Sequence, residues 1–152
     1  MEKYKLSCEE LLEFAENHLE DEQTRAYLKE LVRLKRDFTR EEEVELLRQI
    51  AQNDEDAAKT FAYGHLWISA AMSMQYLGRG LSYYDVMCIA EDLLGQAVKR
   101  YWDGEGEYPC REYVAEDLVR NLGNSVEVEY QNRRPNYYFQ WLQRQKEARE
   151  NT

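Results

Sequence analysis

Few side chains in this sequence have the types and spacing that catalysis or cofactor binding requires. The histidines are His18 and His65, and neither belongs to an HExxH motif or accompanies a GxSxG nucleophile turn. The segment Gly104-Glu-Gly106 is too short and too acidic to cradle a phosphate. The sequence therefore predicts a protein that is not an enzyme and that has no cofactor and no small-molecule substrate.

The cysteines also argue against a metal centre. Cys8, Cys88 and Cys110 are far apart, and no CxxC pair occurs. Such isolated cysteines do not predict structural zinc, so we expect no metal site. Reduced thiols and the lack of an apolar signal segment predict a cytoplasmic location. No run of about 18 apolar residues occurs, so no membrane span is expected.

The charge of the chain restricts the class of partner. The 152 residues carry a formal net charge of -10. Phosphate contact needs a local basic face, so overall acidity argues against indiscriminate nucleic-acid binding without excluding such a face. The composition favours a protein partner at least as much as DNA.

Composition and capping patterns predict an all-α fold in a single helical domain. Hydrophobic residues make up 43% and charged residues 33%, the chain has only two prolines, and helix formers dominate. Capping-box spacing predicts helix starts at Ser7 with Glu10 and at Thr39 with Glu42. We divide the chain into an N-terminal helical pair (1–37), a helical core (38–123) and a C-terminal aromatic helix packed on the core (124–152).

The most regular helix pattern lies between Ser82 and Trp102. Ser82 is placed as an N-cap with Asp85 three residues later. The apolar positions that follow keep helical spacing without interruption: Val86, Ile89, Ala90, Leu93, Leu94, Ala97, Val98 and Tyr101. We expect this helix at the centre of the domain, with Ile89, Leu93 and Ala97 buried.

The last third of the chain predicts two helices joined by an extended stretch. A helix is expected from about Cys110, with Gly123 as the residue after its end. Alternation with glutamates predicts a short extended stretch over 126–130. A final helix after Pro135 is expected to begin at Asn136 and to bury three side chains: Tyr138, Trp141 and Leu142.

Two interpretations fit the basic and aromatic residues near the C-terminus. Arg133 and Arg134 precede three aromatic side chains: Tyr137, Tyr138 and Trp141. Guanidinium and aromatic groups together are typical of a nucleic-acid patch. The alternative is a helix that packs its aromatic side chains on the core and leaves the arginines in solvent.

The order of elements in the middle of the chain resembles the sigma-70 family of transcription factors. A capped helix from Thr39 to Ile50 and the segment Asn53–Ala58 come before a long helix. The turn Arg79-Gly-Leu-Ser-Tyr-Tyr-Asp85 and an amphipathic helix with Leu94, Ala97 and Val98 follow. Residues 38–123 are similar in this order to region 2 of these factors, the promoter-melting domain.

The resemblance implies contact with RNA polymerase. In that family, the helix after the Leu-Ser-x-x-Asp turn docks on a coiled coil of the largest catalytic subunit. Asp85 matches the family's acidic residue, and the resemblance places Asp85 and Glu91 at the contact. This chain has Cys88, Ile89 and Glu91 where Gln, Glu and Asn are common. The alternative role for Asp85 is that of a helix-capping carboxylate.

The resemblance also implies contact with melted, single-stranded promoter DNA. Aromatic and basic residues would hold unstacked bases and phosphates. The matching positions here are Tyr108, Arg111, Tyr113 and Arg120. The family's paired tryptophans are replaced by Glu116 and Asp117, whose charges disfavour DNA. The alternative to base stacking for Tyr113 is a position in the core.

Two functions remain open at this point. The first is a sigma factor-like protein of transcription initiation that contacts RNA polymerase and melted promoter DNA. The second is a protein-interaction module, a decoy or regulator of transcription, that kept the sigma fold and lost DNA binding.

Overall fold

The chain folds into a single all-α domain, as the sequence predicts. The computed structural model describes residues 7–133 and 137–151, and the side chains of residues 137–140 lie outside the described part. These ranges contain helices and turns and no β-strand. The helices are α1 (Cys8–His18), α2 (Glu22–Leu34), α3 (Arg40–Ala51), α4 (Glu55–His65), α5 (Trp67–Ser73), α6 (Tyr83–Trp102), α7 (Cys110–Arg133) and α8 (Tyr137–Glu150).

Side-chain caps determine where most of these helices begin. Ser7, Asp21, Thr39, Asp54 and Ser82 each accept a hydrogen bond from a backbone N–H in the first turn of α1, α2, α3, α4 and α6, respectively. The capping box of Thr39 and Glu42 is complete, with both bonds at 3.2 Å. The predicted caps at Ser7, Thr39 and Ser82 are confirmed.

Helix α6 lies at the centre of one core. It packs against α5 and α7, and the α1–α2 pair packs against α5. The buried side chains of α6 include Val86, Met87, Ala90, Leu94, Ala97 and Val98. The prediction of a central helix from about Ser82 to Trp102 is confirmed, and so is the burial of Ala97.

Two side chains of α6 were expected in the core and lie at its edge. Ile89 and Leu93 are only partly buried, whereas Met87 and Leu94 are 0% and 1% exposed. Ile89 and Leu93 are four residues apart, so they share one face of the helix. The apolar stripe of α6 is thus wider than the core, and one edge of it faces outward.

Helix α7 is longer than the sequence suggests. The predicted end at Gly123 is wrong, and so is the extended stretch over 126–130, because the helix continues to Arg133. Packing explains the difference: the residues Leu118, Leu122, Val126 and Tyr130 recur every four positions and continue the inner face of the helix. A Cβ atom at Gly123 would lie 3.1 Å from the hydroxyl oxygen of Tyr76, so glycine here permits close approach rather than ending the helix.

Two apolar side chains of helix α8 are exposed to a large extent. Trp141 is 52% exposed and Leu142 is 40% exposed, so the expectation that they are buried is wrong. The side chain of Tyr138, the third predicted core residue, lies outside the described residues. The predicted start of the helix, Asn136, and the basic residue Arg134 also lie outside them. Within the described ranges, no helix combines the length and apolar character needed to cross a membrane.

Candidate functional site

A groove lies between the first half of α6 and the second half of α7. Its volume is about 600 Å³, and we call it the α6–α7 groove. The residues that line it are Asp85, Cys88, Ile89, Asp92, Leu93, Asn124, Ser125, Val128, Glu129 and Arg133. Ile89, Leu93 and Val128 form its apolar part, and Val128 is 50% exposed. The outward edge of the α6 stripe is therefore one wall of a surface groove.

The charged residues of this groove are mainly acidic. Asp85, Asp92 and Glu129 contribute carboxylates, and Arg133 is the single cation among the lining residues. The Nη1 atom of Arg133 donates to Oδ2 of Asp85 at 2.7 Å, and its Nε atom donates to Oε1 of Glu129 at 2.6 Å. An apolar strip with an acidic border suits a partner that carries apolar and basic side chains.

The two alternative roles of Asp85 use different atoms. Its backbone N–H donates to Oγ of the N-cap Ser82 at 3.1 Å. Its carboxylate accepts the bond from Arg133, and the side chain is 31% exposed. The helix start therefore uses the main chain of Asp85, and the side chain is directed to the groove.

Glu91 lies on a different face of α6. The Tyr27 hydroxyl on α2 donates to Oε1 of Glu91 at 2.6 Å, and Glu91 is half-buried. Burial raises the pKa of Glu91, and the bond from Tyr27 opposes that rise. Six residues separate Glu91 from Asp85, which places them about 120° apart around the helix. The structure does not bring the two predicted polymerase contacts together.

The two aromatic candidates for DNA contact have different surroundings. Tyr108 is 41% exposed, and the guanidinium of Arg40 lies 5.5 Å from its ring centre. Tyr113 is half-buried, and its ring centre is 5.7 Å from that of Tyr101. Tyr108 has the exposure that base stacking needs, whereas Tyr113 packs against the core.

The two arginine candidates are separated and paired with carboxylates. Arg111 lies 3.4 Å from Oδ1 of Asp37, and Arg120 lies 3.6 Å from Oδ1 of Asp117. Asp117 is 4% exposed and also accepts a bond from Arg100 at 2.6 Å. Nine residues separate Arg111 from Arg120, about 180° around α7. They do not form one continuous basic track.

We therefore expect weak binding of single-stranded DNA by the isolated protein. Stacking on one exposed tyrosine is worth about 1–3 kcal/mol per base, and Arg111 and Arg120 add no continuous basic track to it. Fluorescence anisotropy with a labelled promoter-like strand at low salt measures the affinity for single-stranded DNA. Tight binding that both Tyr108→Ala and Arg111→Ala abolish would contradict the expectation.

Glu43 is a buried acid that the sequence analysis did not single out. It is 2% exposed, and its carboxylate accepts bonds from the Tyr101 hydroxyl at 2.6 Å and from the Cys110 N–H at 3.0 Å. One side chain of α3 thus joins the end of α6 to the start of α7. Helical spacing from Glu43 to Leu47 and Ile50, four and seven residues later, was the available signal for its inward position.

His65 has the surroundings of a core residue rather than of a ligand. It is 2% exposed, its Nδ1 atom lies 2.7 Å from the carbonyl oxygen of Phe61, and its ring stacks on Phe38. Burial lowers the pKa of His65, which favours the neutral ring. In the part of the chain that the structure describes, no group of three or more His, Cys, Asp or Glu residues could hold a metal ion.

No protein-family model matches the sequence, and no solved structure matches the fold of this chain.

Proposed function

We propose that this protein is a sigma-70-like, transcription-associated protein that acts in the cytoplasm and contacts RNA polymerase through the α6–α7 groove. Support comes from the residues that carry the resemblance. Asp85 lies in the first turn of α6, and the matching core positions Leu94, Ala97 and Val98 are all buried. The partner surface is the coiled coil of the largest catalytic subunit, as the resemblance implies.

The observation that carries the proposal is the position of the Asp85 carboxylate. It lies at one end of an apolar strip formed by Ile89 and Leu93, on the helix that the resemblance assigns to docking. Helices of a coiled coil present apolar and charged side chains at regular spacing. A basic side chain of such a helix could pair with Asp85 while apolar neighbours cover the strip.

A second candidate function is a sigma-fold decoy or regulator that binds protein and has lost DNA binding. The pairing of Arg120 and Arg100 with the buried Asp117 favours it, because the carboxylate occupies a position where the family has an aromatic residue. In both candidates the α6–α7 groove binds the protein partner. In the first candidate alone, melted promoter DNA is a secondary contact centred on Tyr108.

Capture of core RNA polymerase tests the proposal. The purified protein should retain core polymerase, and a sigma factor should compete for it. Asp85→Arg should reduce capture about tenfold or more, because it places like charges at the contact. Asp56→Arg, which changes an exposed acid on α4, is the control with the same change of charge. Undiminished capture by Asp85→Arg would leave Asp85 with its helix-start role alone.

The DNA experiment separates the two candidates. Binding of the promoter-like strand in the presence of polymerase would support a sigma-like role in initiation. Its absence, with polymerase capture intact, would favour the decoy or regulator.

A further inference from the structure

The last turns of α7 lie across the beginning of α6. Gly80, in the turn before α6, has a φ of +100°, and a Cβ atom there would lie 2.3 Å from the ring of Tyr130. Only a residue without a side chain lets the Tyr130 ring approach so closely. One turn of α7 later, Arg133 reaches Asp85. The end of α7 therefore contacts both the turn that precedes α6 and the first turn of α6.

Arg133 is held in position by two carboxylates. Glu129, four residues earlier on α7, accepts the bond from Nε, and Asp85 accepts the bond from Nη1. Pairs at this spacing lie on one face of a helix, so Glu129 directs the guanidinium along the groove. The side chain of Arg133 is 51% exposed, so solvent screens both pairs.

We propose that Arg133 is an intramolecular competitor for the Asp85 carboxylate. This inference rests on the proposed function, in which a basic side chain of RNA polymerase pairs with Asp85. Both cations pair with the same carboxylate, and the Arg133 bond occupies Oδ2 of Asp85 and offsets part of its charge, so Arg133 competes with the partner for it. The end of α7 thereby lowers the affinity of the groove for its partner.

The strength of this competition follows from the exposure of the pair. An exposed ion pair changes an equilibrium constant by about twofold to fivefold. Arg133 therefore weakens docking without preventing it. Salt weakens the internal pair and the pair with the partner alike, so the effect of Arg133 should be largest at low ionic strength.

Titration of the full chain with core RNA polymerase tests the inference. Arg133→Ala should bind about twofold to fivefold more tightly than the unchanged protein at low salt. The control is Arg48→Ala, which removes an exposed arginine that pairs with Glu45, three residues earlier on α3. In an Asp85→Asn background, Arg133→Ala should give no gain, because the carboxylate for which the two cations compete is gone.

Each outcome separates this inference from the proposed function. Tighter binding by Arg133→Ala than by the unchanged protein supports the competition. Equal or weaker binding by Arg133→Ala overturns it and leaves polymerase contact standing. A gain that persists with Asp85→Asn also overturns it. If neither protein binds polymerase, the proposed function fails and the competition fails with it.

Discussion

Replacing Glu43 with alanine is expected to lower the free energy of unfolding by about 2–4 kcal/mol. The substitution leaves the buried hydroxyl of Tyr101 and the N–H of Cys110 without their acceptor. Each buried group that loses its partner costs about 1–3 kcal/mol, and removal of a buried polar carboxyl group offsets part of the sum. Chemical denaturation followed by circular dichroism measures the change.

Glu41→Ala is the matched control for this experiment. Glu41 is exposed two residues earlier on the same helix, and its loss should cost about 0.5 kcal/mol or less. Equal losses for the two variants would contradict the bridging role of Glu43. Glu43→Gln keeps an acceptor oxygen and should be milder than Glu43→Ala.

The second large effect is expected at Leu94. Leu94→Ala should cost about 2–5 kcal/mol, the range for removing a buried leucine side chain. Leu94 is 1% exposed in the central helix, so the surrounding side chains cannot fill the space without moving. Thermal or denaturant unfolding of the purified variant checks this result.

The neighbouring leucine provides the comparison for Leu94. Leu93→Ala makes the same chemical change one residue away, at the edge of the core, and should cost about 1 kcal/mol. A larger loss for Leu93→Ala than for Leu94→Ala would show that α6 is rotated from the orientation described above.

Local sequence signals were enough to predict several helix starts and the central helix. Caps act within three residues, so Thr39 and Ser82 could be recognised without knowledge of the tertiary fold. The apolar stripe of α6 likewise predicted a central position. It could not show which edge of the stripe faces the core, because that depends on where α7 packs.

The sequence patterns missed features that depend on contacts between residues far apart in the chain. The alternation of glutamates with Val126 and Val128 suggested a strand, whereas packing of every fourth residue kept α7 helical. Glu43 looked like part of an acidic run, because its partner at Cys110 is 67 residues away. The exposure of Trp141 in α8 could not be predicted from its apolar character.

The candidate site was only partly visible in the sequence for the same reason. Asp85 was singled out, and it does border a groove. Arg133 and Val128 were not linked to Asp85, since the predicted end of the helix at Gly123 separated them from it. Glu91 was grouped with Asp85, but it lies about 120° away around α6, where it accepts a bond from Tyr27 on α2.

The continuity of α7 also constrains how the length of this segment can change. The 24-residue helix begins at the N–H bound by Glu43 and ends at the guanidinium bound by Asp85. Successive side chains differ by about 100°, so inserting or deleting one residue between Val126 and Arg133 would rotate the arginine out of the groove. A change of seven residues, about two full turns, would preserve its direction but shift it by about 10 Å. Sequences that retain the pair of Arg133 with Asp85 should therefore show no insertions or deletions in this segment.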